Sequence, residues 1–168
     1  MSERTSERTD ARTGERKDPE NGFRDTLDRF EITVLTGEFT DAVMMKDFDR
    51  LAALFTEDGQ VRIPAGGIEM KGRDAIRAGV ERLQGNWEFF TQTTHPGTVR
   101  LEGDTATGRA YLVELGRFRE GGAHQNIAIY HDRYRRTPDG WRFTSRVYEL
   151  RYVDTTPLAG GPPPRDAH

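Results

Sequence analysis

The sequence predicts an α+β domain in which helices come first and a strongly bent sheet of long antiparallel strands follows, with a cavity left on its concave side. Three observations predict it. Apolar residues recur at helical steps of three and four from Phe23 onward, strand-like patterns take over after Trp87, and turn signals fall at 102–104 (EGD), 119–123 (REGGA) and 137–140 (TPDG).

The elements follow in order. Phe23, Leu27, Phe30, Val34, Leu35, Phe39 and Val43 predict a long first helix with one apolar face, weakened at Gly37. Asp47 is placed to cap a short second helix carrying Phe48, Leu51, Leu54 and Phe55, and TEDG at 56–59 is read as its end. Residues 60–63 (QVRI) alternate like a strand, and Pro64 through Gly67 form a loop. A third helix is expected from Arg73 to Leu83, with Ala75, Ile76, Val80 and Leu83 inward and Gly85 as its stop. The rest reads as strands near the upper end of normal length. The expected boundaries are a disordered tail at 1–21, one domain at 22–154 and a Pro/Gly-rich tail at 155–168.

Composition limits the function classes. The chain has 168 residues, a net charge of −3, 34% hydrophobic residues and a mean hydropathy of −0.80, with the polar excess concentrated at the two ends. Cysteine is absent, which excludes disulfides, thiolate metal sites and cysteine nucleophiles. No apolar run approaches membrane-spanning length, so a soluble, cytoplasmic protein is expected. In residues 1–21 acidic and basic side chains nearly balance and no aromatic offers a base a stacking surface, which argues against a nucleic-acid arm. His95, His124 and Glu114 lack the HxxxH or HxD spacing of a metal site, and no phosphate-cradling motif is present, so neither metal nor cofactor is expected.

The segments DAVMMKDFDRLAALFTEDGQVRIP, KGRDAI, THPG at 94–97, LEGDTATGRAYL and YHDRYRRTPDGWRFTSR at 130–146 occur in that order. Together they resemble the SnoaL-like branch of the nuclear transport factor 2-like superfamily over about residues 24–153. The resemblance implies a cone-shaped sheet wrapped around a pocket and covered by three N-terminal helices. It also implies homodimers formed through the outer sheet face, and metal- and cofactor-free acid/base work on a small organic molecule. Polyketide cyclases, scytalone dehydratase, ketosteroid isomerase and a dehydrochlorinase belong to that superfamily, as do non-catalytic members.

Site residues follow from the same resemblance. The family's general-base His matches His95, and its Arg five residues after the hairpin Trp matches Arg146. The Asp that assists the His falls on Met44, which cannot orient an imidazole. Two carboxylates are candidates to replace it: Asp41, one turn earlier on the helix, and Glu114, which is favoured because strand parity puts Ala110, Leu112 and Glu114 on the concave side. If Tyr130 faces inward, period two also places His124, Asn126 and Ala128 in the cavity, with Ile127, Ile129 and His131 facing out. Trp141 and Phe143 are read as sheet hydrophobes rather than ligand contacts.

The expectation is a cofactor-independent lyase, isomerase or cyclase acting on a small, oxygenated, partly apolar metabolite. His95 moves the proton, Glu114 or Asp41 orients it, and Tyr130, Asn126 and Arg146 stabilise an oxyanion, while Met44, Leu112, His124 and Ala128 complete the pocket. The alternative is a non-catalytic binding or dimeric partner protein that has lost the family's acid at Met44.

Overall fold

A computed structural model describes residues 19–160; the tail positions 1–18 and 161–168 lie outside the described residues. Helix α1 (Pro19–Met45) is followed by α2 (Phe48–Ala53), β1 (Phe55–Ile63), a short 3-10 turn (Pro64–Gly66), β2 (Ile68–Lys71) and α3 (Arg73–Gly85). Four long strands complete the chain: β3 (Trp87–Glu102), β4 (Thr105–Phe118), β5 (Ala123–Thr137) and β6 (Gly140–Asp154). They form one six-stranded sheet in the order β2-β1-β6-β5-β4-β3. Only the β1/β6 pairing is parallel, and the sheet is open, with β2 and β3 at its edges.

The first helix begins at Pro19, so residues 19–21, assigned to a tail by composition, are helical. Its apolar residues also divide differently from the single face expected. Ile32, Leu35, Phe39, Ala42 and Val43 are buried in the core, whereas Phe23, Leu27, Phe30 and Val34 lie exposed on the other side. Residues four, three and four apart do share a face, but here that face is not the one turned to the sheet. TEDG at 56–59 lies within β1 rather than ending α2, and the ladder with β6 shifts register between Phe55 and Gln60 to accommodate it. Asp47 does cap α2, its carboxylate accepting the Arg50 N–H at 3.1 Å. Ile76 and Val80 on α3 are buried as expected, and Ala75 is exposed.

Irregularities in the ladders give the sheet its bend. The β3/β4 register shifts between Pro96 and Val99, and β5/β6 shifts at Ile127/Ala128 and again at Arg133/Tyr134. Each extra residue bends its strand and reverses which side chains face inward beyond it. The helices cover the concave side. Around that side Phe39, Phe55, Tyr130, Tyr134 and Phe143 form an aromatic core whose rings meet edge-on or tilted.

Two ion pairs tie these layers together. Arg146, wholly buried, makes paired hydrogen bonds of 2.9 Å each to the Asp132 carboxylate, and Tyr134 donates to the same carboxylate at 3.0 Å. The Arg146 guanidinium carbon lies 4.2, 4.0 and 4.1 Å from the ring centres of Phe39, Tyr130 and Phe143. The second pair joins α1 to the sheet: Asp28 accepts from Arg136 at 2.7 and 2.5 Å and from the Trp141 indole at 3.1 Å. Trp141 is therefore a core anchor facing α1 and not part of the outer sheet face.

Asp28 carries a pH prediction. The Arg136 hydrogen bond, against the opposing effect of burial, holds its carboxyl below the ordinary carboxylate range. A depressed folded-state pKa contributes stability above the unfolded value of about 3.9 and loses it as pH falls. The urea midpoint is expected to drop between pH 7 and pH 3, and Asp28→Asn is expected to flatten that acid-side loss while lowering the midpoint at pH 7.

Candidate active site

Between the concave sheet, α1 and α3 lies a cavity of about 360 Å³. Most of its wall is apolar, with Phe39, Val43, Ile63, Met70, Leu83 and Phe90 among the lining residues, and Trp87 stacks on Phe118 at 3.9 Å beside them. Of its polar groups, Gln92, Glu114, Asn126, Tyr130 and Tyr148 are connected by hydrogen bonds, Gln84, Asn86 and His124 stand apart from them, and neither lysine nor arginine lines it.

Glu114 is the hub of those groups. One carboxylate oxygen accepts from the Gln92 amide at 2.7 Å; the other accepts from the Tyr148 hydroxyl at 2.6 Å and from the Asn126 amide at 3.3 Å. All three donors are neutral, and among the described residues Glu114 forms no ion pair. The same Gln92 amide nitrogen also donates to the Tyr130 hydroxyl at 3.3 Å, leaving the Tyr130 proton free to donate elsewhere. Burial raises the Tyr130 and Tyr148 pKa values, and the Glu114 charge raises them further. Both phenols stay protonated donors throughout the neutral range. The carbonyl oxygen of Asn126 is buried and has no partner, which leaves an acceptor ready for a ligand hydroxyl or N–H.

Neighbouring residues hold Gln92 in place. The Thr40 hydroxyl of α1 lies 3.4 Å from the Gln92 carbonyl oxygen and 2.8 Å from the Thr94 hydroxyl. The Met44 sulfur accepts the Gln92 backbone N–H at 3.2 Å. His124, two residues before Asn126 on the same strand, is half-buried at the aromatic end, with its ring 4.8 Å from Phe118 and 6.0 Å from Trp87.

The residues singled out from the sequence thus separate into groups. Glu114, His124, Asn126 and Tyr130 line the cavity. His95 does not: it is exposed on the outer face opposite Tyr111, because the bulge between Pro96 and Val99 turns Gln92 and Thr94 inward in its place. Asp41 is exposed and, with Glu38 and Asp47, is held by Arg50, so it takes no part in the pocket. Arg146 lies beneath the cavity, committed to Asp132, and reaches the site by packing under the Phe39 and Tyr130 rings that line it. Leu112 and Ala128, each 1% exposed, belong to the core rather than the lining. Met44 lines a separate cleft with Lys46 and Phe89 and acts on the site only through the Gln92 backbone.

Two hydrogen-bonding members, Gln92 and Tyr148, were not expected from the sequence. Tyr148 is inward because a register shift falls between Phe143 and Ser145; counting by twos from Trp141 puts it on the wrong side. Gln92 sits in a polar run, TQTTH, where alternation gives no contrast to read. Among the described residues no group of three or more His, Asp or Glu side chains is arranged to hold a metal, and no helix is long and apolar enough to cross a membrane.

A family model described as a SnoaL-like domain matches residues 24–147. An uncharacterized protein of Mycobacterium tuberculosis is 33% identical over 126 residues, covering 71% of this chain and 83% of that protein. A crystal structure of an NTF2-like protein with a cystatin-like fold from Novosphingobium aromaticivorans is similar at 30% identity and a TM-score of 0.68, covering 80% of this chain and 91% of that one. The hexachlorocyclohexane dehydrochlorinase LinA-type3 of Novosphingobium barchaimii shares the fold at 21% identity and a TM-score of 0.74, covering 84% of this chain and 99% of its own.

Proposed function

Because this chain belongs to the SnoaL-like family, we propose that it is a cofactor-independent proton-transfer enzyme, an isomerase or lyase, acting on a small neutral molecule that is largely apolar and carries a carbonyl. The observation that carries this reading is the Glu114 carboxylate at the polar end of an apolar cavity, held by three neutral donors and no cation.

In the proposed step Glu114 takes a proton from the carbon next to the carbonyl. The C–H electron pair moves into the carbonyl, and the Tyr130 hydroxyl, whose proton is uncommitted, donates to the oxygen that becomes negative. Return of the proton to a different carbon completes an isomerisation. Loss of a leaving group from the adjacent carbon completes an elimination, with His124, in the lining beside Phe118 and Trp87, as the group that protonates the departing one. The dehydrochlorinase neighbour is named for an elimination, in keeping with this class of chemistry. Exposed Tyr111, Val113, Ile127 and Tyr152 on the outer sheet face support pairing of two copies through that face.

A second reading, binding without turnover, is favoured by one observation: Met44 stands where the resemblance places the assisting Asp. Calorimetry with matched ligands tests the binding half of the proposal. A neutral cyclic ketone is expected to bind at least about tenfold more tightly than its carboxylate-bearing analogue, since a second carboxylate would meet Glu114 with no cation in the lining. Tyr130→Phe is expected to lower kcat on a ligand that turns over by about tenfold or more while changing KM little. Preference for the carboxylate analogue would contradict the assigned ligand class, and turnover untouched by Tyr130→Phe would contradict the oxyanion role.

A further inference from the structure

Helix α1 has a second apolar face that the fold leaves uncovered. Phe23 and Phe30 are 68% and 65% exposed, and Leu27 and Val34 between and beyond them are 44% and 45% exposed. The four side chains follow one another at steps of four, three and four, the spacing of a helix-to-helix seam, and stand on the side of α1 opposite buried Asp28, Ile32 and Leu35. Two phenylalanines exposed about two turns apart on one helix, with Leu27 on the turn between them, make a contiguous patch of the kind that marks an interaction surface.

We propose that this stripe binds the same stripe of a second copy of the chain, the two α1 helices running antiparallel across a twofold axis. Charge complementarity selects that occupant. Arg24 and Glu31, seven residues apart, border the stripe on one side, while Thr26 and Thr33 border it on the other. A twofold antiparallel pair brings like borders together and reverses their order. Arg24 of each copy then meets Glu31 of the other at both ends of the seam. A parallel twofold pair sets both charges against the threonines and gains nothing from them.

Among the described residues no segment covers this stripe. The residues before Pro19 contain no large apolar side chain after Met1. Gly160, the last described residue, is held by Arg117 at the far end of β4 from the strand start that adjoins Asp104 and Arg136, where Asp28 docks. This interface is separate from the outer sheet face and from the cavity.

Sedimentation velocity on the full chain tests the proposal. Phe23→Glu/Phe30→Glu is expected to halve the mass of the assembly with an unchanged circular-dichroism spectrum, since both positions are exposed. Arg24→Glu alone and Glu31→Arg alone are each expected to weaken association by at least about tenfold, and the double exchange Arg24→Glu/Glu31→Arg is expected to restore it. A wild-type chain that stays monomeric, a mass unaffected by the apolar variant, or a double exchange no better than its single members would overturn the proposal.

Discussion

Replacing Glu114 with glutamine is expected to lower proton transfer by about two to four orders of magnitude, the usual contribution of a general base, while leaving ligand affinity within a few fold of the wild type. The substitution suits the site. The carbonyl of the introduced glutamine can take the place of the oxygen that accepts from Tyr148 and Asn126, which puts the new amide where Glu114 accepts from Gln92. Gln92 then turns its own amide over, with the Thr40 hydroxyl as the acceptor on the other side, and its carbonyl comes to face the Tyr130 hydroxyl, which can donate to it. The network keeps its shape and loses its basicity. Glu114→Ala is a coarser variant, because it leaves three buried donors without their acceptor, at about 1–3 kcal/mol for each group left unpaired. A Glu114→Gln enzyme of unchanged kcat would remove Glu114 from the reaction.

The largest effect on stability is expected at the base of the cavity. Asp132→Ala leaves the Arg146 guanidinium wholly buried among Phe39, Tyr130 and Phe143 with no counter-charge. Breaking one side of such a pair costs about 3–5 kcal/mol, a large share of the stability of a domain this size. Burial works against the Arg146 charge, and the Asp132 carboxylate outweighs it. The combined variant Asp132→Leu/Arg146→Met is expected to recover most of the loss, since apolar residues of similar volume often match a buried pair. Urea unfolding measures both. A single variant that unfolds at the wild-type midpoint would show that the pair contributes nothing to the fold. Arg146→Met alone is also expected to loosen the Tyr130 ring that rests on the guanidinium, so a fall in kcat should accompany its loss of stability.

How much of this was legible in the sequence depends on where each strand is interrupted. Along β5 the alternation from Asn126 to Tyr134 contains no extra residue of its own, so once the resemblance turns Tyr130 inward, parity separates Asn126 and Ala128 from Ile127 and His131. Glu114 and Leu112 on β4 sorted equally well, since the β4/β5 ladder is unbroken from Thr105 to Arg117. His95, singled out through the resemblance, and Tyr148, not singled out at all, stand outside what alternation can place for one shared reason. Each lies next to a register shift, and nothing in the side chains near Gly97 or Thr144 says where the extra residue will fall. The existence of the first helix is legible from its period, and the direction in which its apolar stripe faces is not. A stripe at steps of four and three looks the same whether it faces a sheet or another helix, and Asp28, a charged residue on the truly buried face, makes the core side look polar. Arg146 is singled out through the family resemblance, which does not reveal that Asp132 accepts from its Nε and Nη2 beneath the cavity.

In the proposed reaction Glu114, in place of a histidine–aspartate pair, moves the proton. Deuterium incorporation tests it most directly: a neutral cyclic ketone that binds the cavity is incubated in heavy water with wild-type protein and with Glu114→Gln at equal occupancy, and exchange at the carbon beside the carbonyl is followed by proton NMR. Exchange is expected to be catalysed by the wild type and slowed at least about a hundredfold by the substitution. Equal exchange rates in the two proteins, or no exchange by the wild type of any ketone shown to occupy the cavity, would contradict it.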